Sequence, residues 1–370
     1  MYYRDFGKTG CKVSSLGFGA MRMPTVEKDG KKIIDEEKAI ELIRYAIDNG
    51  VNYVDTAYFY HDGESESLVG KALKDGYREK VYVATKLPMG NVKCPEDFDT
   101  LLATQLQRLD TGYIDFYLFH ALNRDHWQKV KDFGLIEKMK KAKSEGKIRH
   151  IGFSFHDDLE IFRTILEEYD GCEFCQIQFN YLDTDYQAGI EGLRLAEEMG
   201  LGVVIMEPLR GGGLVSPDEK VKNCLPTGSS PVESALMYVW DHPAVSLLLS
   251  GMGTIDQVRE NIAYSEKHTA NCLSPEEKSA FVKAKKEYDR LDLIPCTKCL
   301  YCKDCPKGID IPAIFAAYNL SVDGDRRKVK EAMPDIGDRT RECIECGACE
   351  KKCPQNLQIR ELFRHIRDRF

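Results

Sequence analysis

From residue 14 to residue 265, short apolar runs alternate with longer stretches in which apolar side chains recur every three or four positions. The first pattern suits strands buried on both faces, and the second suits amphipathic helices. The apolar runs predict strands near Ser15–Met21, Val51–Ala57, Val81–Leu87, Tyr113–His120, Ile148–Phe155, Phe174–Asn180, Val203–Pro208 and Ser246–Gly251. The intervening stretches predict helices at Asp35–Asn49, Glu64–Lys74, Pro95–Leu109, Gly134–Glu145, Asp158–Glu168, Asp185–Met199, Pro231–Trp240 and Ile255–Ser265. Eight strands alternating with eight helices over roughly 250 residues describe an α/β fold of the TIM (β/α)8 barrel type. A doubly wound open sheet is the alternative, but it would stop at five or six strands and carry GxGxxG after the first, a triplet not found here.

Two further segments stand out in this pattern. Leu214–Gly228, broken by Pro217 and Pro226, reads as an irregular excursion after the seventh strand, of the kind that shapes a substrate pocket. The run SPEEKSAFVKAKKEY, Ser274–Tyr288, reads as a capped connector helix with an acidic first turn. Beyond it the composition turns to Cys, Pro, Arg and Asp, which places a boundary near Leu291: a barrel over residues 1–290 and a second domain over 291–370.

A length of 370 residues agrees with one large domain and an appendage, and 43% hydrophobic with 30% charged residues is ordinary for a chain that builds a core. The net charge of -8, with no basic stripe, argues against nucleic acid as a partner. The N-terminus lacks a charged segment followed by an apolar one, and no run approaches the length of a membrane span, so no membrane is expected and the cytoplasm is the expected compartment. Disulfides rarely persist there, yet the chain has 14 cysteines, eight of them at or after Cys296.

In barrels, catalytic residues project from the C-terminal ends of strands and the loops that follow. Asp55 ends the second expected strand, Tyr60 lies five residues on, Lys86 ends the third and His120 ends the fourth. Alone, each is more often a hydrogen-bonded structural residue than a catalyst; their joint placement, each strand-end residue a whole βα unit from the next, reverses those odds. With these positions, DTAYFY, then ESESLVGKAL, ATK and LFH make the chain resemble the aldo-keto reductase family over about residues 1–270.

The resemblance implies hydride transfer between a nicotinamide cofactor, NADP or NAD, and a small-molecule carbonyl substrate. Negative charge that builds on the carbonyl oxygen needs a proton, and Tyr60 is the implied donor. A phenol titrates near 10, so a neighbouring ammonium, Lys86, is needed to stabilise phenolate, and Asp55 supplies the counter-charge. His120 would orient the carbonyl oxygen. For the nicotinamide carboxamide the matching residues are Ser154 and Gln176; where the family often has Asn after that serine this chain has Phe155, with His156 next in line.

Near the eighth strand, Gly251 and Gly253 in SGMGT fit a phosphate cradle at a helix N-terminus, although a plain glycine turn is the alternative. Glu260 and Asn261 fit the adenine pair of the family. Relatives that prefer NADPH carry Lys or Arg at places held here by Gly251 and Gln257, leaving Arg259 as the nearest cation, so NADH and NADPH both fit. Arg210 in EPLRGGG is a candidate for the pyrophosphate, or a solvated loop residue. Met21, Trp127 and Leu214 are candidate pocket-lining residues, with ordinary packing as the alternative.

The tail holds Cys296, Cys299, Cys302 and Cys305 at x2 spacings before Pro306, then Cys343, Cys346, Cys349 and Cys353 before Pro354. The second run has the bacterial ferredoxin spacing; the first is one residue shorter before its last cysteine. The 37 residues between the runs include IPAIFAAYN and RRKVKEAM, both helical in pattern, so the tail resembles a small helical ferredoxin-like iron–sulfur domain with two [4Fe-4S] clusters. By that resemblance Cys296, Cys299, Cys302 and Cys353 hold one cluster, and Cys343, Cys346, Cys349 and Cys305 the other. Zinc is the alternative, disfavoured by three consecutive x2 spacings and a terminal Cys–Pro. Cys172 and Cys175 read as ordinary buried thiols.

An oxidoreductase is therefore expected, with clusters of structural or electron-transfer role. Hydride carries two electrons and a cluster accepts one, and no flavin motif divides the pair. Two other readings stand beside it: an electron-transfer component that serves a redox partner protein or flavin, and a redox-sensing nucleotide-binding subunit.

Overall fold

The computed structural model describes residues 1–321 and 326–370. Eight strands, β1 (Leu16–Gly19), β2 (Tyr53–Asp55), β3 (Tyr82–Leu87), β4 (Ile114–Leu122), β5 (Ile148–Phe155), β6 (Phe174–Gln178), β7 (Gly202–Met206) and β8 (Leu247–Ser250), form one barrel. Every neighbouring pair is parallel, and β8 closes on β1 with Leu248 opposite Leu16. The closed sheet excludes the open doubly wound alternative. Strands β6, β7 and β8 are buried along nearly their whole length, which is why they read as continuous apolar runs rather than alternating ones.

The helices start where the capping chemistry says they should. Asp35 accepts from the Lys38 N–H, Asp158 from that of Ile161, and Thr254 from that of Gln257. At the N-terminal end of the barrel, a hairpin of Tyr3–Asp5 and Lys12–Ser14 inserts Phe6, fully buried, among Tyr53, Phe116 and Phe174. The Phe6 ring meets Phe116 edge-on at 4.6 Å and lies 5.4 Å from Phe174. This aromatic plug is the floor, opposite the end where catalytic residues gather.

Some elements escape the hydrophobic pattern. The hairpin Thr25–Lys28 with Lys31–Ile34 is exposed on both faces, so it has no alternation to betray it. Helix Arg124–Asp132 is almost wholly polar, burying only Trp127 and Val130. The excursion after β7 contains the short helix Glu219–Lys222, which the two prolines obscured.

The described residues fall into two compact units: Met1–Pro208 with Glu233–Ser274, and Leu209–Val232 with Pro275–Phe370. The connector helix Pro275–Asp289 thus packs with the second unit, against Glu219–Lys222. In that unit, helices Ile311–Tyr318, Arg326–Ala332, Ile336–Arg341, Ala348–Lys352 and Ile359–Arg369 gather around Ile314, Phe315, Val329, Ile336, Phe363 and Ile366, with several cysteines packed on the same core. Gly211, at φ +62°, lies so close to the backbone carbonyl of Thr297 that a Cβ would collide with it, so the RGGG loop rests directly on the first cysteine run. Among the described residues no helix is long and apolar enough to cross a membrane.

Candidate functional site

Asp55 is the last residue of β2, Lys86 lies in β3, and both are nearly sealed from water at 2% and 1% exposure. The Lys86 ammonium donates to both Asp55 oxygens at 2.7 Å and to the Thr56 carbonyl at 2.8 Å. Burial moves the lysine below its ordinary range and the aspartate above its own, with their mutual attraction opposing both shifts. Three good acceptors for three ammonium protons keep the pair ionic at neutral pH.

Tyr60 opens a short 3-10 turn after β2, and its buried ring has the Lys86 ammonium 5.2 Å from the centroid. The His120 ring stands edge-on to it at 6.3 Å. His120 does not end its strand as the sequence suggested: β4 runs on to Leu122 through a register irregularity after Phe119, and Ala121 sits at φ +52°. This is a β-bulge, a device that re-aims a side chain at a strand end. The Ser154 hydroxyl accepts from the Ala121 N–H at 2.7 Å and the Ala121 carbonyl meets His126 Nδ1 at 2.8 Å, so the bulge is held from both sides. Burial, then the Lys86 charge, then His156 and His126, push the His120 imidazole well below its ordinary value. It is neutral at physiological pH and keeps one ring N–H to donate.

Sequence reasoning missed the carboxylate beneath this site. Glu66, fully buried in helix Ser65–Ala72, accepts from Thr85 Oγ1 at 2.7 Å, Gln105 Nε2 at 2.6 Å and an Arg108 guanidinium nitrogen at 3.2 Å. Gln105 also donates to the Lys86 carbonyl at 3.0 Å and accepts from the Tyr117 hydroxyl at 2.7 Å. The network pins β3 beside Lys86. A buried Glu in the ESESLVGKAL run was the only signal, and its partners lie in other elements.

Of the expected cofactor residues, Ser154 in β5 and Gln176 in β6 face each other across paired strands, at 2% and 3% exposure. Gln176 Oε1 is buried with no hydrogen-bond partner, a costly state unless a donor arrives. The carboxamide N–H of a nicotinamide is such a donor, so these residues fit the group. His156 is bonded through Nδ1 to Gln187 Oε1 at 3.2 Å, and burial lowers it to about 4.

The loop after β8 is more constrained than its sequence implied. Gly253 donates its N–H to Gln257 Oε1 at 2.8 Å, and buried Asn261 donates to Ser250 Oγ at 2.9 Å. Gly251 has the Arg22 side chain packed close against it, so Arg22 is a cation at this loop that pattern reading did not find. Arg259 is engaged by Tyr45 and Asp256, and Glu260 is exposed. Arg210 belongs to the second unit, its guanidinium 4.7 Å over the Tyr288 ring. Trp127 is packed 5.9 Å from Tyr169 with its indole N–H on Glu168, and Leu214 is buried, so these two serve packing; Met21 is half-buried.

In the second unit no cysteine forms a disulfide. Burial, then the nearby Cys299, Cys296 and Cys353, push the Cys302 thiol up to about 12. Cys302, Cys305, Cys343, Cys346 and Cys349 line one cavity together with Ile309, Ile311 and Phe363. Eight thiols beside one apolar core are a donor set that fits two iron–sulfur clusters.

The chain is similar to known proteins in both of its parts. Residues 15–226 match the profile of the Aldo/keto reductase family, and residues 295–357 that of a 4Fe-4S dicluster domain. A probable aldo-keto reductase 1 of Glycine max is 33% identical over 232 residues, an alignment that spans 60% of this chain and 63% of that protein. The L-galactose dehydrogenase of Arabidopsis thaliana is 29% identical, over 70% of this chain and 86% of its own length. Among solved structures, the holo form of an aldo-keto reductase from Bacillus halodurans superposes with a TM-score of 0.65 at 29% identity, over 77% of this chain and 96% of its own. One from Klebsiella pneumoniae in complex with NADPH gives 0.62 at 26%, over 76% and 94%.

Proposed function

The chain belongs to the aldo/keto reductase family, and from that premise we propose that it reduces an aldehyde or ketone with NADPH or NADH, Tyr60 giving the proton. One observation carries the reading: the buried Lys86 ammonium, held on Asp55 at 2.7 Å, stands 5.2 Å from the centre of the Tyr60 ring, with neutral His120 edge-on to that ring at 6.3 Å. A bound nicotinamide supplies hydride to the carbonyl carbon. The residues do the rest. His120 donates its ring N–H to the carbonyl oxygen and orients it; the Tyr60 hydroxyl releases its proton to that oxygen; Lys86 stabilises the phenolate left behind; Asp55 and Thr56 hold Lys86 in place.

Ser154 and Gln176 would hold the carboxamide, and the loop Gly251–Gln257 the phosphates. Gln176→Leu removes one acceptor, so KM for the nicotinamide cofactor should rise about tenfold with kcat little changed. The same change removes an unsatisfied buried oxygen, so the cofactor-free protein should melt no lower than wild type. A KM within experimental error of wild type would remove Gln176 from the site.

Eight of the cysteines, in the groups Cys296, Cys299, Cys302, Cys353 and Cys343, Cys346, Cys349, Cys305, are the proposed ligands of two [4Fe-4S] clusters. A second reading, electron exchange with a redox partner protein, draws on the exposure of Cys346 and of Ile344 nearby, since a cluster bound by Cys346 would be open to a partner there. Anaerobic turnover of the cluster-loaded protein with NADPH or NADH and a panel of aldehydes and ketones tests the first reading. Loss of nicotinamide absorbance with matching alcohol is the expected result. Cofactor binding without turnover of any carbonyl, but with bleaching of the clusters, would instead favour electron transfer.

A further inference from the structure

We propose that Cys11 is a second nucleophilic centre in this chain, a thiol served by His150 and Glu173 at the floor of the barrel and open to reversible modification by low-molecular-weight disulfides. The three residues lie away from the mouth, beside the aromatic plug. Cys11 follows the Phe6 turn, with the Phe6 N–H donating to the Cys11 carbonyl at 2.9 Å. Its Sγ is 3.4 Å from His150 Nε2, and His150 Nδ1 is 2.8 Å from Glu173 Oε1.

The geometry fixes which nitrogen carries the proton. An ionised carboxylate only accepts, so Nδ1 carries a proton, and in the neutral imidazole Nε2 therefore presents its lone pair to the thiol. Glu173 is itself held, accepting from the Ile151 N–H at 3.1 Å and from the Lys143 ammonium at 2.5 Å. The imidazole is stacked on Phe116 at 5.0 Å between centroids and 24° between planes. A nucleophile in reach of a base, and a base oriented by a third group, is the arrangement that activates a thiol. Tyr82 and Cys11 pack against the same aromatic cluster.

The site is reachable, since Cys11 is partly exposed and the His150 side chain keeps 16% of its surface in solvent. Cys94, Cys172 and Cys175 sit in settings that hold the thiol protonated. Burial pushes Cys172 up to about 12 and raises Cys175, while Glu96 raises Cys94. The reaction is an exchange: Cys11 gives its proton to His150, and the thiolate attacks one sulfur of the small disulfide. The old S–S bond breaks as a new one forms to Cys11, and the departing thiolate takes the proton back from His150. Thiol plus disulfide gives mixed disulfide plus thiol, and no further oxidant is needed.

The test uses the full chain with its clusters, kept anaerobic and treated with limiting oxidised glutathione at neutral pH, with peptide mapping to follow each barrel cysteine over time. Cys11 should form its mixed disulfide at least about tenfold faster than Cys94, and His150→Gln or Glu173→Gln should slow Cys11 by about tenfold while leaving Cys94 unchanged. Equal rates at Cys11 and Cys94 in the wild-type chain overturn the proposal, whether or not either variant folds. A folded His150→Gln chain with Cys11 as fast as wild type overturns it too.

Discussion

Replacing Tyr60 with Phe should lower kcat/KM for carbonyl reduction by about 10²–10⁴-fold, the usual worth of a positioned general acid. The dissociation constant for NADPH should move by less than about twofold, because the change removes a group that acts only as the transition state forms. The expectation rests on packing as much as on chemistry. Tyr60 is buried beside Lys86 and His120, so Phe fills the same volume and leaves the Asp55–Lys86 pair untouched. Steady-state kinetics and fluorescence titration of the cofactor check both halves. A kcat close to wild type would mean that the proton comes from elsewhere, with His120 the next group to examine.

Cys353→Ser should remove the cluster held by the other cysteine run. Iron should fall from about eight to about four per chain, as expected for the loss of one cubane. The reason is that Cys353 lies near Cys302 with Cys299 and Cys296, and does not line the cavity that Cys305 shares with Cys343, Cys346, Cys349 and Cys302. Double substitutions make the pairing legible. Cys353→Ser with Cys299→Ser should hold as much iron as either change alone, because both strike one cluster; Cys353→Ser with Cys346→Ser should leave almost none. Iron and sulfide analysis with low-temperature spectroscopy of the dithionite-reduced protein would decide. The opposite pattern would mean that each run binds its own cluster, and zinc in place of iron would refute cluster binding.

The barrel was legible because its strands are buried on both faces and so appear as apolar runs, of which Ile148–Phe155 has the bounds expected. The spacing of Asp55, Lys86 and His120 was legible for the same reason, since strand ends can be counted. What the pattern could not convey is geometry made by distant partners. The bulge at His120 lies inside the apolar run Leu118-Phe119-His120-Ala121-Leu122, where nothing marks a change of direction. Glu66 looks like one more surface carboxylate until Gln105, Thr85 and Arg108 close over it. Cys11 and His150 stand 139 positions apart and meet only when the sheet closes. Polar-on-both-faces elements such as the Thr25–Ile34 hairpin carry no period at all.

The RGGG loop has a consequence for how this protein can be taken apart. By chain order, Leu209–Val232 is an ordinary βα connection of the barrel, yet it packs with the cysteine-rich residues, Gly211 resting on Thr297. The chain therefore passes between the two units three times, at Pro208, at Val232 and at Ser274, rather than once. A single cut at residue 290 would strip the loop of Thr297 and leave it attached to the barrel. Grafting the iron–sulfur unit onto another reductase, or a different barrel onto these clusters, accordingly requires three matched junctions. The unit behaves as an insertion shared across the chain, not as an interchangeable tail.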